Sequence, residues 1–257
     1  MTKKQSAVTT QLNAHLKELR LPSMREGYEA QAERARQEDM GYEQYLLELA
    51  ERECETRRQH RVERCLRESR LPLEKSIEAL DTKRLPRKIA QQLQTLLDGS
   101  FLDRRENILA FGNPGSGKSH LVCALGQELV RNGRRVYFSS TALLVQDLLR
   151  AKQELKLNKL LKRLAKFDAL ILDDIGYVQH DRDEMEVLFT LLAERYERGS
   201  VMLTSNLAFS KWERIFKDPM TTAAAIDRLV HHSIILELNV SSYRVQAAAK
   251  RKEKKSA

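Results

Sequence analysis

The sequence predicts an α/β fold in which a parallel five-stranded sheet carries helices on both faces, behind a small all-helical N-terminal domain. Three observations lead there. Five short apolar runs between Ile108 and Leu238 alternate with helix-like segments, the pattern of parallel strands joined by helical crossovers. The chain from about residue 10 to 70 reads as helices only. A glycine-rich decapeptide, "FGNPGSGKSH" from Phe111 to His120, stands between the first apolar run and a helix.

Within the helical part, "SMRE" at Ser23 to Glu26 follows Pro22 with capping-box spacing and predicts a helix entering at Met24. Tyr42, Tyr45, Leu46 and Leu49 form an apolar stripe that predicts a second helix from near Tyr42. Beyond it Arg57, Arg61 and Arg64 line one face, laced with Glu51, Glu53, Glu55 and Glu63; a solvated face and a nucleic-acid contact are equal readings of it. Pro72 and Pro86 then bracket "PLEKSIEALDTKRLP", which has little periodicity and reads as a linker.

The strands are expected at Ile108–Phe111, Arg135–Phe138, Ala169–Leu172, Val201–Thr204 and Ile234–Leu238. After the first, Gly112 and Gly117 stand with four residues between them and Lys118 and Ser119 behind, the spacing of a phosphate-binding loop. Missing side chains let main-chain N–H groups converge on phosphate oxygens, while Lys118 reaches the outer phosphates and the Ser119 hydroxyl binds Mg²⁺. The candidate nucleotide residues are therefore Gly112, Asn113, Pro114, Gly115, Ser116, Gly117, Lys118, Ser119 and His120. Leu121, Val122, Leu125, Leu129 and Val130 recur at helical spacing, so the loop opens a helix whose N-terminal dipole favours anions.

Asp173 and Asp174 end the apolar run Ala169–Leu172, which places two carboxylates at the carboxyl edge of a buried strand. Asp173 is expected to hold Mg²⁺ through water and Asp174 to orient the attacking water as a base. Asn206 closes the run "VMLTSN" and is placed to reach the same water or the γ-phosphate if the two strands are neighbours, since an amide both donates and accepts. Taken alone, Arg228 and Arg244 further on read as surface salt-bridge residues.

The balance of 45 basic over 36 acidic residues gives net +9, which suits a partner carrying phosphates. No apolar run approaches bilayer length and the start lacks an export signal, so a cytoplasmic location without membrane contact is expected. Cys54, Cys65 and Cys123 have no metal-ligand spacing. His231 and His232 are adjacent, which on a helix points them apart, and no metal is assigned to protein ligands alone.

Together "GNPGSGKSHL", "LILDDIGY", "RYERGSVMLTSN", "FSKWERIFKD", "AIDRLVHHS" and "SYR" resemble the IstB family of transposition helper ATPases, relatives of the DnaC helicase loaders in the AAA+ class. The resemblance implies an ATP- and Mg²⁺-dependent protein that forms a homo-oligomer on double-stranded DNA. It further implies help in target selection, stimulation of a cognate transposase, and disassembly on hydrolysis. Arg228 would be the arginine finger acting on ATP of the neighbouring subunit, and Arg244 a sensor arginine within its own subunit. Two features depart from the common AAA+ pattern. Asp174 stands where Glu is usual, and the 19 residues after Leu238 are too short for a full helical lid.

On this reading residues 1–70 form the helical domain for DNA or partner binding and self-assembly. Residues 71–90 form the linker, 91–245 the ATPase domain, and 246–257 a basic tail. The clearest DNA candidate is "AKQELKLNKLLKRLAK", where Lys152, Lys156, Lys159, Arg163 and Lys166 repeat at steps of four and three and put charge on one helical face. Leu157, Leu160, Leu161 and Leu164 lie largely on another. The contact expected is with the duplex backbone, with little base readout. A replicative helicase loader is the alternative; a small-molecule kinase is disfavoured by the Asp pair, the lack of a recognisable acceptor pocket and the basic surface.

Overall fold

The structure, a computed structural model, describes residues 3–176, 182–212, 219–240 and 242–243. The chain divides into two compact units, Met1–Arg64 and Cys65–Ala257. The first is built from α1 (Lys3–Glu18), α2 (Pro22–Gln37) and α3 (Tyr42–Ser69), with α3 running on past the division.

The predicted capping box does not form. Helix α2 begins at Pro22, and its N-cap residue Leu21 makes no side-chain cap. The amides of Ser23 and Met24 donate instead to Glu53 Oε2 on α3, at 2.8 and 3.1 Å. A full carboxylate at a helix N-terminus satisfies two orphan donors and complements the helix dipole. Glu53 is accordingly buried, and Arg57 Nε closes on its other oxygen at 2.9 Å. Arg57 also donates to the Arg20 carbonyl. Of the predicted arginine face, this member is committed to holding a helix corner.

In the second unit, α4 (Arg87–Leu96) and the single turn α5 (Ser100–Asp103) precede β1 (Asn107–Gly112) and α6 (Lys118–Arg131). Then come β2 (Val136–Ser140), α7 (Thr141–Gln153), α8 (Leu157–Leu164) and β3 (Ala169–Asp173). The remainder is α9 (Arg182–Arg195), β4 (Ser200–Ser205), α10 (Pro219–Val230) and β5 (Ser233–Leu238). All five expected strands form one parallel sheet in the order β2-β3-β4-β1-β5.

The two-residue period of the strands assigns their side chains to two cores. Leu109, Leu170, Leu172, Val201 and Leu203 face one side, against α7, α8, α9 and α10. Ile108, Ala110, Ala169, Ile171 and Met202 face the other, against α4 and α6. Each fully buried Leu or Ile contributes about 1.5–3 kcal/mol, which is why these runs are apolar on both faces rather than alternating.

Residues 71–90, read from the sequence as a linker, are folded onto this unit. Ile77, Leu80 and Leu85 pack against the α4–α6 core. Gln127 Nε2 on α6 donates to the carbonyls of Pro72 and Lys75 at 3.0 and 3.1 Å, and His120 Nε2 lies 2.9 Å from the Ser76 carbonyl.

At the amino edge of the sheet a buried guanidinium ties loops together. Arg195 donates to the carbonyls of Phe167, Asp168 and Ser200 at 2.8, 2.9 and 3.0 Å. Burial pushes its pKa down to about 10, which leaves it charged at neutral pH. Asn107 joins the same edge, donating to the Leu229 carbonyl at 3.0 Å and accepting from the Val201 amide at 2.8 Å.

Candidate nucleotide site

The loop from Gly112 to Ser119 leaves the carboxyl end of β1 and enters α6, as its spacing predicts. A Cβ at Gly112 would overlap the Leu238 carbonyl oxygen, so only glycine lets β1 end against β5 there. Gly115 has φ +78°, and a Cβ on it would overlap the Ser242 hydroxyl. The Tyr243 amide donates to the Gly115 carbonyl at 2.9 Å. The chain after β5 is thus laid directly on the loop.

Lys118 is buried and its Nζ lies 2.8 and 2.9 Å from the carbonyls of Gly112 and Asn113, bridging the loop it belongs to. Ser119 Oγ donates to Asp173 Oδ1 at 2.6 Å. Strands β3 and β4 are neighbours, so Thr204 Oγ1 reaches the same Oδ1, also at 2.6 Å. The Asp174 amide donates to Thr204 Oγ1 at 2.9 Å. Asp174 has φ +59°, a turn that lifts its side chain out of the strand direction to line the cavity beside Asn206. Thr204 was not singled out by sequence, because its role depends on which strands are adjacent.

A cavity of about 300 Å³ opens over the loop. It is lined on the loop side by residues 114–120 with Asp174 and Asn206, and elsewhere by Ala79, Leu80, Leu85, Val240 and Tyr243. The Arg84 guanidinium stands 5.3 Å from the centre of the Tyr243 ring. Half of this wall therefore comes from the stretch read as a linker. The signal available was its apolar content, Ile77, Leu80 and Leu85 standing among charged neighbours.

A nucleoside triphosphate with a divalent cation fits these residues. Ser116 Oγ and Asn206 Oδ1 are buried without a hydrogen-bond partner among the described residues, a state that a ligand's polar atoms would resolve. The hydroxyl–carboxylate pair Ser119 and Asp173 is an all-oxygen donor set suited to Mg²⁺. The apolar wall, with the Arg84 guanidinium over the Tyr243 ring, suits a flat aromatic base.

Arg228 is not brought to this cavity. It lies near the end of α10, donates to the Ala224 carbonyl at 3.0 Å and stands 4.7 Å over the Phe189 ring. It lines a recess with Asn107, Arg195 and Val201, at the amino edge of the sheet, whereas the loop lies at the carboxyl edge. Arg244 and the basic tail lie outside the described residues.

The predicted continuous basic helix is broken. Helix α7 ends at Gln153, Leu155 takes φ +56°, and α8 starts at Leu157 with Lys156 as its N-cap. Lys152 therefore does not share a helical face with the others, and it pairs with Glu186 at 2.9 Å and Asp183 at 3.8 Å. Lys156 pairs with Glu154 at 2.8 Å. Lys159, Lys162, Arg163 and Lys166 remain exposed along and just after α8, whose Leu157, Leu160, Leu161 and Leu164 join the core.

His231 and His232 occupy the turn after α10 rather than a helix, with ring centres 4.1 Å apart. Together with Glu197 they bring three exposed ligand atoms within 4.8 Å of one another. In the turn the two rings lie side by side and do not diverge as they would on a helix.

A parallel sheet with a glycine loop after β1 and an acidic pair after β3 defines the class: a P-loop nucleotide-binding protein of the AAA+ type. The fold is shared with the AMPPCP-bound DnaA of Aquifex aeolicus, at TM-score 0.55 and 20% identity over 72% of this chain and 56% of that one. A DnaC helicase loader matches at TM-score 0.51 and 19% identity, over 60% of this chain and 89% of that one. The chain belongs to the family of IstB-like ATP binding proteins, whose model matches residues 14–251. An insertion-sequence ATP-binding protein of Sinorhizobium fredii is 44% identical over 94% of this chain and 81% of its own length. Those of insertion sequences IS5376 from Geobacillus stearothermophilus and IS21 from Pseudomonas aeruginosa are 38% and 36% identical, over 92% and 93% of this chain and 94% and 91% of theirs. Among the described residues no helix is long and apolar enough to cross a membrane.

Proposed function

We propose that this insertion-sequence ATP-binding protein is an ATPase that assembles on duplex DNA, assists target selection and stimulates its element's transposase, with hydrolysis driving disassembly. Bound ATP with Mg²⁺ would supply the phosphoanhydride that water cleaves. The loop amides and Lys118 bind the phosphates, Ser119 and Asp173 hold the cation, partly through water, and Asp174 and Asn206 orient the water. Leu80, Leu85, Val240 and Tyr243 keep bulk solvent from the base.

One observation supports the assembly. Arg228 stands at the amino edge of the sheet while the phosphate loop stands at the carboxyl edge, so an arginine finger here would act on the nucleotide of another copy. Its planar, permanently charged fork is suited to a transferring phosphoryl group. The exposed cations of α8 are the proposed contact with the DNA backbone, and the insertion-sequence context of the relatives points to a transposase as partner.

Mixing two inactive variants tests the shared site. Lys118→Ala lacks the loop lysine and Arg228→Ala lacks the finger; each alone is expected to be inactive with DNA. In an equal mixture, about a quarter of the interfaces pair an intact loop with an intact finger, and turnover returns to about that fraction. A mixture no more active than its components rules the shared site out. A strand-transfer assay with the element's transposase tests the remainder: Lys118→Ala should fail to stimulate it.

A further inference from the structure

Leu155 is 94% exposed, more than any other large hydrophobic side chain among the described residues. Exposure alone needs no explanation, because isolated surface leucines are common. Its backbone is what sets it apart. The Leu155 amide donates to the Lys152 carbonyl at 3.1 Å and the Lys156 amide to the Ala151 carbonyl at 2.7 Å. These two bonds make a Schellman motif that closes α7, with Leu155 at the left-handed position where glycine is the usual choice. A γ-branched leucine there is disfavoured by its own Cβ. It also gains no burial in return: Leu157, Leu160, Leu161 and Leu164 enter the core, and Leu155 stays out.

The surroundings are cationic. Lys156 follows it, 65% exposed at the side chain and paired with Glu154, and Lys159, Lys162 and Arg163 stand exposed on α8. Across the turn, Lys152 is held by Glu186 and Asp183. An apolar knob at the head of a helix that carries exposed cations matches a surface whose rim is anionic and whose interior is stacked and apolar. Duplex DNA has that character: phosphates flank the groove, and the base steps between them admit apolar wedges that unstack and kink the helix.

We infer that Leu155 is a wedge that enters the DNA between adjacent base pairs when α8 docks on the backbone. The inference rests on the proposed DNA contact of α8. The left-handed backbone aims the side chain outward from the turn, and the exposed cations of α8 hold the phosphates beside it. A kink requires no base-specific hydrogen bond, so it favours flexible pyrimidine–purine steps over particular sequences.

The test uses the full chain with a non-hydrolysable ATP analogue and a duplex carrying a dye at each end and a 2-aminopurine inside. Wild type, Leu155→Gly, Leu155→Phe and the double variant Lys159→Glu/Arg163→Glu are compared for affinity, end-to-end energy transfer and 2-aminopurine emission. Leu155→Gly relieves the backbone strain, so it is expected to melt no lower than wild type. It should nevertheless bind DNA about three- to tenfold more weakly, bend it less and leave the 2-aminopurine quenched. Leu155→Phe should keep both bending and emission. The charge-reversed variant should lose DNA binding. If Leu155→Gly bends and unstacks DNA like wild type while the charge variant does not bind, the wedge is wrong and the backbone contact stands. If the charge variant binds normally, the contact itself is wrong. If Leu155→Gly fails to self-associate with nucleotide in the absence of DNA, Leu155 covers a protein surface and the inference is overturned.

Discussion

Ser119 and Asp173 face each other at 2.6 Å, the hydroxyl of the loop helix donating to the carboxylate that ends β3. Thr204 donates to the same oxygen at the same distance from the neighbouring strand. The carboxylate is fixed from both sides before any cation arrives. Asp173→Asn is therefore expected to fold normally and to lower Mg²⁺-dependent ATP turnover about 10–100-fold. Phosphate release followed across a Mg²⁺ titration measures it; unchanged turnover at every concentration would remove Asp173 from the site.

Lys118 bridges two carbonyls of its own loop, at Gly112 and Asn113. Its ammonium is thereby held where phosphates would arrive. Lys118→Ala should cut turnover on the order of 100-fold, the scale of losing one preorganised charge donor. Calorimetry with ATP and a steady-state phosphate assay report the two halves of the effect.

Arg84 and Tyr243 meet at 5.3 Å in the lining of the cavity, where the proposed site would take the base. Replacing either by Ala should weaken ADP binding about two- to fivefold, the scale of one exposed cation–π contact. Inorganic triphosphate, which has no base, should bind both variants as it binds wild type. Equal losses for the two ligands would move these residues from the base to the phosphates.

Cys123 lies in the α6 core, and burial pushes its thiol up to about 12, whereas Cys54 is exposed. The thiolate is the reactive form, so at pH 8 only about one Cys123 in ten thousand is ionised even before access is considered. Iodoacetamide at pH 8 should modify Cys54 in the native protein and spare Cys123 until denaturant is added. Peptide mapping by mass spectrometry distinguishes the sites.

Glu53 accepts from two amides at the start of α2 and holds Arg57. Glu53→Ala removes the cap and leaves a half-buried helix end without its side-chain acceptor, at a cost of about 1–2 kcal/mol to the helical unit. Urea denaturation of the full chain should show the loss in the helical unit, with nucleotide affinity unchanged.

What the sequence disclosed follows from how local each signal is. The phosphate loop is spelled within eight residues, and Ala169–Leu172 is buried on both faces, so its apolar run announces a strand without further context. Thr204 could not be matched to Asp173 without knowing that β3 and β4 are neighbours. Glu53 caps a helix some thirty residues earlier in the chain, an interaction with no short-range signature. Leu155 was the least visible: the leucine and lysine spacing continues straight through it, and the break is a left-handed turn at a residue that rarely makes one. In the wall from residue 79 to residue 85, Leu80 and Leu85 are separated by the polar single turn Thr82–Arg84, too short to show a period of its own.

The main-chain bond from Tyr243 to Gly115 has a practical side. Whatever is fused downstream of that point hangs from the same few ångströms of backbone that shape the proposed triphosphate cradle. Purification handles, fluorescent reporters and surface tethers belong at the opposite terminus. Anchoring the molecule by its carboxyl side in a single-molecule experiment would tug on the cradle that the experiment sets out to watch.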